Sequence, residues 1–521
     1  MNNQPKTPAT EQTLEEKYAL LQQQVEELNA KLKWYEEQFR LSQSQRYGTS
    51  SEKIAEGQLR FFDEAEQEQD PTIPEPDTDT IVRQRRKQKK EKNWDDLPTE
   101  QVHYELSEEE LTCPQCEGTL HDMSQEVRKE LKVIPAQVIV VEHIRHTYAC
   151  RNCEKNDITT PIITAPMPAP AFPGSLASSS LAAYVMNRKY TEAIPLYRQE
   201  QQLVHMGLPI SRQTLANWMI KGAHWFEALY DRMHHHMVQC EVLHADETEL
   251  QVLKEPGRTA ARKSYMWHYA TGHTDPPILM FEYQTTRASK HPDKWLNNFS
   301  GYLHTDGYAG YNNLTGITIV GCFAHARRKF TDTLKAIKDT ESRQGTVAQE
   351  GLTFCNRLFE LEKKAKDLTP DERYLVRQQE MTPILTAFHE WLKIQKRQVL
   401  PKTSLGQAVT YCLNQWDKLE RVLLDGRLEL SNNRAERGIK PFVIGRKNWL
   451  FSNTPKGAMA SALICSVIET AKANGLSPFP YLTYLFDQLP NIDLTDPDQL
   501  DQLLPWSDAL PDACRSPLKK S

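Results

Sequence analysis

The sequence predicts a multidomain α/β protein. Three observations carry that prediction: a length of 521 residues, two C-x-x-C pairs far apart, and an alternation of strand-like and helix-like segments from residue 240 to 338. At roughly 150 residues per domain the length implies three or four domains. The formal net charge is −6, which on its face disfavours a nucleic-acid partner. That charge is segregated, however. Residues 61–79 hold eight acidic and no basic side chains, and residues 487–512 hold seven aspartates and no basic residue, leaving +9 on the remainder. No stretch approaches the roughly 18 apolar residues of a membrane span, and Met1 to Gln12 lacks the apolar core of a signal peptide. Ten cysteines are too few for a disulfide scaffold in a chain of this length, so a cytoplasmic protein is expected.

Leu14, Tyr18, Leu21, Val25, Leu28, Leu32, Tyr35 and Phe39 alternate in steps of four and three. This seam predicts a coiled coil over residues 12–45 that joins two or more copies; an amphipathic helix packed on its own chain is the alternative. Residues 46–100 read as a linker, acidic and proline-containing at 61–79 and basic from Arg83 to Lys92; that basic run is equally well a solvated face. Cys113, Cys116, Cys150 and Cys153 form two knuckles separated by a strand-like Gln137 to Thr147. Four thiolates so spaced suit one tetrahedral Zn²⁺ in a ribbon over 101–160, with a redox pair as the other reading. Five prolines in 161–175 mark the next boundary.

Within 174–236, segments 176–187, 192–205 and 211–223 read as helices, the last capped by Ser211 and turning Leu215, Trp218 and Met219 inward. They resemble a helix-turn-helix unit in which Arg212, Gln213 and Asn217 would reach base edges; a helical bundle without DNA contact fits equally well. From residue 238 to 338 the order is strand 240–245, strand 265–270, strand 278–283, helix 292–299, strand 302–305, strand 317–322, helix 325–338. This order is that of an RNase-H-like domain, which by itself says little about function. Asp246 is expected at the end of the first strand and Asp306 just after the fourth, at one sheet edge. Glu436 follows a helix cap at Ser431 or Asn432, which would put Asn432, Asn433, Glu436 and Lys440 on one face. Three hard oxygen donors suit Mg²⁺, two ions per site, rather than Zn²⁺.

The stretches HADETELQVLKEPG (244–257), HTDGYAGYN (304–312), GCFAHARRKF (321–330) and SNNRAERGIKPFVIGRKNWLF (431–451) resemble the transposases of the insertion-sequence sixty-six family, which are DDE enzymes. RYGTSSEK (46–53), the paired knuckles, PLYRQE (195–200), SRQTLANW (211–218), ETAKANGL (469–476) and LLPW (503–506) extend the similarity over nearly the whole chain. SNN stands where DNN is common, and serine caps a helix as well as aspartate. The resemblance implies that Asp246, Asp306 and Glu436 are the catalytic triad holding Mg²⁺ (or Mn²⁺). It further implies an RNase-H-like core interrupted by an α-helical insertion at 339–430, resumed at 431–475 and followed by a C-terminal tail at 476–521. Arg327, Arg328, Arg434, Arg437, Lys440 and Arg446 would contact phosphates. Cys322 and His325 resemble the C-x-x-H pair that follows the second aspartate in several such families, read here as structural.

The implied activity is cleavage at transposon ends and joining of the freed 3′-hydroxyl to target DNA, with accessory proteins of the element as further partners and the nucleoid as the place of action. A DNA-binding regulator without catalysis, and a nuclease that cuts but never joins, are the rival readings. Retention of all three acids weighs against the first.

Overall fold

Strand β3, Val242–Gln251, is the axis of the molecule. The computed structural model describes residues 138–149, 162–336 and 345–517, and everything from Val141 onward belongs to one compact unit. The expected coiled coil, linker and zinc knuckles, with Cys113, Cys116, Cys150 and Cys153, lie outside the described residues. Of the strand expected at 137–147, residues 138–146 are irregular; extended chain begins only at β1 (Thr147–Ala149), where β2 (Ile162–Thr164) supplies an antiparallel partner.

The main sheet has the order β5-β4-β3-β6-β7, with β4 at Lys263–Thr271, β5 at Leu279–Gln284, β6 at Gly301–His304 and β7 at Ile317–Val320. Short connections make β3, β4 and β5 an antiparallel meander. The chain then crosses over, so β6 pairs parallel to β3 and β7 parallel to β6. Pairing on both sides explains why Val242, Leu243, His244 and Ala245 are all buried.

Among the described residues four helices precede the sheet: α1 (Ser179–Tyr190), α2 (Leu196–His205), α3 (Arg212–Trp225) and α4 (Glu227–Met237). Ser211 caps α3 as expected, accepting from the Thr214 amide at 3.2 Å, and Leu215, Trp218 and Met219 are buried. α5 (Lys290–Trp295) lies in the crossover, and α6 (Phe323–Lys335) follows β7. A helical segment comes next: α7 (Val347–Lys364), α8 (Pro370–Val376), a π-turn at Arg377–Met381, α9 (Thr382–Gln398), α10 (Ser404–Asn414) and α11 (Trp416–Glu420). It has its own core, in which Phe330, Leu358, Phe388, Leu392, Val409 and Leu419 pack together.

The chain returns to the sheet through α12 (Asn433–Trp449) and α13 (Pro455–Ala473). α13 completes the edge strand β5: Ser466 Oγ accepts from the Phe281 amide at 2.8 Å, and Thr470 Oγ1 both accepts from the Leu279 amide and donates to its carbonyl at 3.0 Å. An exposed row of backbone donors is thereby removed. The region expected as a tail instead folds back as α14 (Pro478–Gln488) and α15 (Pro497–Asp501). Tyr481, Leu482, Leu485 and Phe486 carry the apolar surface that drives this, all fully buried, and Asp501 accepts two hydrogen bonds of 2.6 Å from Arg232.

Arg377 is the buried hinge between the helical segment and the return. It is fully inaccessible, pairs with Glu362, and donates to the carbonyls of Val422 (3.1 Å), Asp425 (2.8 Å) and Leu428 (2.6 Å) on the approach to α12. Arg377→Ala strands the Val422 and Asp425 carbonyls and leaves Glu362 and the Leu428 carbonyl to Arg373 alone, so chemical denaturation should show a loss of about 2–4 kcal/mol. A loss under 1 kcal/mol would mean that water replaces the guanidinium at no cost.

Candidate active site

The parallel pairing of β3 with β6 ends at His244↔His304. Continuing that register two residues sets Asp246 opposite Asp306, just beyond the point where β3 and β6 stop pairing. Asp246 is therefore mid-strand rather than at a strand end, because β4 goes on pairing with β3 as far as Gln251↔Lys263. Asp306 follows β6 as expected; its Oδ1 accepts from the Tyr308 amide at 2.9 Å, and its carbonyl accepts from Tyr411 of α10 at 3.0 Å. Glu436 comes from the first turn of α12.

Asp246, Glu436, Lys440, His325 and Arg328 line a cavity of about 300 Å³ with Ile439 and Val443. Burial pushes the Asp246 carboxyl up to about 8, aided by the negative charges of Glu247, Asp306 and Glu436 and opposed by the Glu247 amide donating to its Oδ1 at 2.9 Å. Three acids therefore share one field with Asp246, which is the electrostatic environment a cation relieves. Glu436 Oε1 and His325 Nδ1 face each other at 3.7 Å, both buried and neither hydrogen-bonded, while Glu436 Oε2 accepts from Arg328 at 3.4 Å. Cys322, His325 and Glu436 place one donor atom each within 4.8 Å of one another. Asp246 and Asp306 are not part of that set.

Asn432 departs from expectation. Its side chain makes no cap bond and turns away from the cavity, fully buried. Its Oδ1 accepts from His244 Nδ1 at 3.1 Å, its Nδ2 donates to the Ala245 carbonyl at 2.8 Å, and its backbone N–H donates to Cys322 Sγ at 3.1 Å. The amide offers both a donor and an acceptor, and β3 presents one of each immediately before Asp246. His244 in turn stacks on His304, rings 4.4 Å apart and 9° from parallel. Gly438 allows α12 to come this close: a Cβ there would collide with His268 Nε2 on β4.

The other predicted residues do not gather in one place. Lys440 and Arg328 reach the cavity, and Arg446 sits beside Thr248 of β3 at 3.4 Å. Arg434, bound to Glu429 at 3.0 Å, and exposed Arg437 line a second cavity of about 470 Å³ beside β4 and α13. Arg327 turns to Asn356 of α7 at 2.7 Å and away from the acids. Arg212, Gln213 and Asn217 are all exposed on α3.

Sequence reasoning passed over a second layer. Glu247 accepts from Tyr311 Oη at 2.6 Å and from Arg287 Nε at 2.7 Å, and the Arg287 guanidinium lies 3.7 Å above the Tyr308 ring. This layer clamps the loop after Asp306 to the strand of Asp246. The acid pair in HADET was its only sequence signal.

Four family models match the chain in order. The model described as Transposase C of IS166 homeodomain covers residues 34–102, and the zinc-finger binding domain of transposase IS66 covers 110–154. The Transposase IS66 family model covers 174–460, and the IS66 C-terminal element covers 466–506. The class so defined is that of the DDE transposases. More narrowly, the chain belongs to the IS66 transposase family. Two relatives from Sinorhizobium fredii (strain NBRC 101917 / NGR234) are similar over most of their length. The uncharacterized protein y4jD is 29% identical over 427 residues, 79% of this chain and 81% of the relative. The uncharacterized protein y4qI is 30% identical over 408 residues, 75% and 73% of the two chains. No described helix is long and apolar enough to cross a membrane.

Proposed function

We propose that the protein cleaves the ends of its insertion sequence and joins them to target DNA by in-line phosphodiester displacement, with Asp246, Asp306 and Glu436 as the catalytic acids. The observation that carries this reading is the placement of the acids: Asp246 and Glu436 line one cavity and Asp306 follows the strand paired beside Asp246, so burial and like charge hold the Asp246 carboxyl well above the usual carboxylate range. Carboxylates gathered this way, with Glu436 Oε1 lacking a hydrogen bond, fit magnesium or manganese as hard oxygen donors. Two such ions would supply activation of the attacking oxygen and neutralisation of charge on the phosphate. Asp246 and Asp306 would hold both, and Glu436 would complete one site. Lys440 and Arg328 flank the cavity and would bind the phosphate. Cys113, Cys116, Cys150 and Cys153 would hold one Zn²⁺ in the zinc finger.

The β5-β4-β3-β6-β7 order supports reading the sheet as an RNase-H-like core, with the helical segment from α7 to α11 inserted between Asp306 and Glu436. Exposed Arg212, Gln213 and Asn217 would read base edges, and the N-terminal coiled coil would join copies. The test is strand transfer from a pre-nicked end in Mg²⁺. The wild type should give joined products that chelation abolishes, and Glu436→Gln should give none while still binding the DNA. Cutting without joining would replace this reading with a nuclease, and binding without either would replace it with a silent regulator.

A further inference from the structure

Beyond the acids, β3 and α12 run alongside each other and end on the same feature. Asp246 to Val252 spans about 20 Å of strand, and Glu436 to Leu450 spans about 21 Å of helix. At the far end Ser452 pairs with Val252: its amide donates to the Gln251 carbonyl and its carbonyl accepts from the Leu253 amide, both at 3.0 Å, and the Asn453 carbonyl accepts from Lys254 at 3.0 Å. The link between α12 and this bridge is a tight turn. Leu450 has φ +66° and ψ −52°, and the Phe451 amide donates across it to the Trp449 carbonyl at 2.8 Å. That is a γ-turn of the rarer, strained hand, centred on a leucine in the region of backbone space that favours glycine. The result is two large apolar side chains held outward, Leu450 at 64% and Phe451 at 41% exposure, on a frame fixed from both sides.

The surroundings are basic. Lys447 continues the helix face of Glu436, Lys440 and Val443, and Lys254 and Lys456 are exposed on the segments flanking the tip. The nearby acids are engaged: Glu249 pairs with Lys263 at 2.7 Å, and buried Glu255 pairs with Arg258. An apolar tip ringed by cations fits a polyanion that also offers apolar faces, which is the chemistry of DNA: phosphates outside and stacked bases within.

We infer that Leu450 and Phe451 form a wedge that enters bound DNA and unstacks a base step about six base pairs from the phosphate at the acids, taking about 3.4 Å of rise per pair. This rests on the DNA-cleaving reading of the acid site.

The experiment uses the full chain and a duplex of the element's terminal repeat with 2-aminopurine placed at successive positions, read by fluorescence alongside cleavage. The wild type should brighten the probe at least about threefold at one step five to seven pairs from the cut, and Asp246→Asn should keep that signal without cleaving. The double variant Leu450→Ser, Phe451→Ser should lose the signal, and Phe451→Tyr should retain it. Leu450→Gly relieves the turn, so it should melt no lower than the wild type and still dim the probe, which separates the wedge from a folding defect. Cleavage with no brightening at any position, or brightening unchanged in the double variant, overturns the wedge and leaves the cleavage reading standing. Brightening without cleavage supports the wedge and overturns the cleavage reading.

Discussion

Asp246→Asn should stabilise the metal-free protein at pH 8 and abolish the DNA cleavage proposed for it. Asp246 has a folded-state value of about 8 against 3.8 in an unfolded chain, so the folded state keeps a proton that the unfolded state releases. Below about pH 4 both states hold that proton and the variant and wild type should melt alike. As pH rises from 4 to 8 the wild type loses stability, because burying the carboxylate becomes progressively more costly, and above 8 the whole penalty remains. Asparagine carries no charge, fits the same space and can still accept from the Glu247 amide. The expected gain at pH 8 is on the order of 2–4 kcal/mol, read from denaturation in chelator. Mg²⁺ should then raise the melting temperature of the wild type and not of the variant, while cleavage falls at least about 10³-fold. A variant no more stable than the wild type at pH 8 would mean that Asp246 is not held under charge stress. Cleavage at the wild-type rate would remove it from the chemistry.

The second large effect is expected at Asn432. Asn432→Ala removes the acceptor for His244 Nδ1 and the donor for the Ala245 carbonyl, both buried. Unpaired polar groups at this depth should cost about 2–4 kcal/mol in total. The site should suffer more than the fold. Asn432 opens the helix that carries Glu436 and grips the residues just before Asp246, so its loss frees the two acids to drift apart. A misplacement near 1 Å costs about 100-fold in rate. Single-turnover cleavage at saturating DNA and metal should show that drop with binding little changed. Asn432→Asp keeps the acceptor and should recover part of it. A rate that falls only with the folded fraction would reduce Asn432 to a packing residue.

These two residues also show what could be read from sequence and what could not. Ser211 as a cap and the apolar Leu215, Trp218 and Met219 follow from local chemistry and short-range periodicity, while Asp246 beside Asp306 is expected from the likeness of the element order to an RNase-H-like fold. Those signals survive in a single chain. Asn432 looked like another helix cap because asparagine commonly plays that part. Its actual partners, His244 and Ala245, lie 188 and 187 residues away, and no local pattern encodes such a pair. The extension of β3 past Asp246 was hidden for a related reason. DETEL is polar and looks like a strand ending, yet its pairing comes from β4, and Glu247 pairs with Arg287 and accepts from Tyr311. The aspartate-rich 487–512 window obscured α15 because composition averages over Asp501, which is bound to Arg232, and its exposed neighbours.

The bonds from Asn432 to His244 and Ala245 also set a clock. A ribosome adding roughly 5–20 residues per second needs about 10–40 seconds to travel from one end of that link to the other. Asp306 joins Asp246 about a third of the way through that interval; until its end the third acid is missing, and the strand that bears Asp246 has no amide to grip it. Three acids that would cut DNA are therefore kept apart by translation itself until the helix bearing Glu436 has been made.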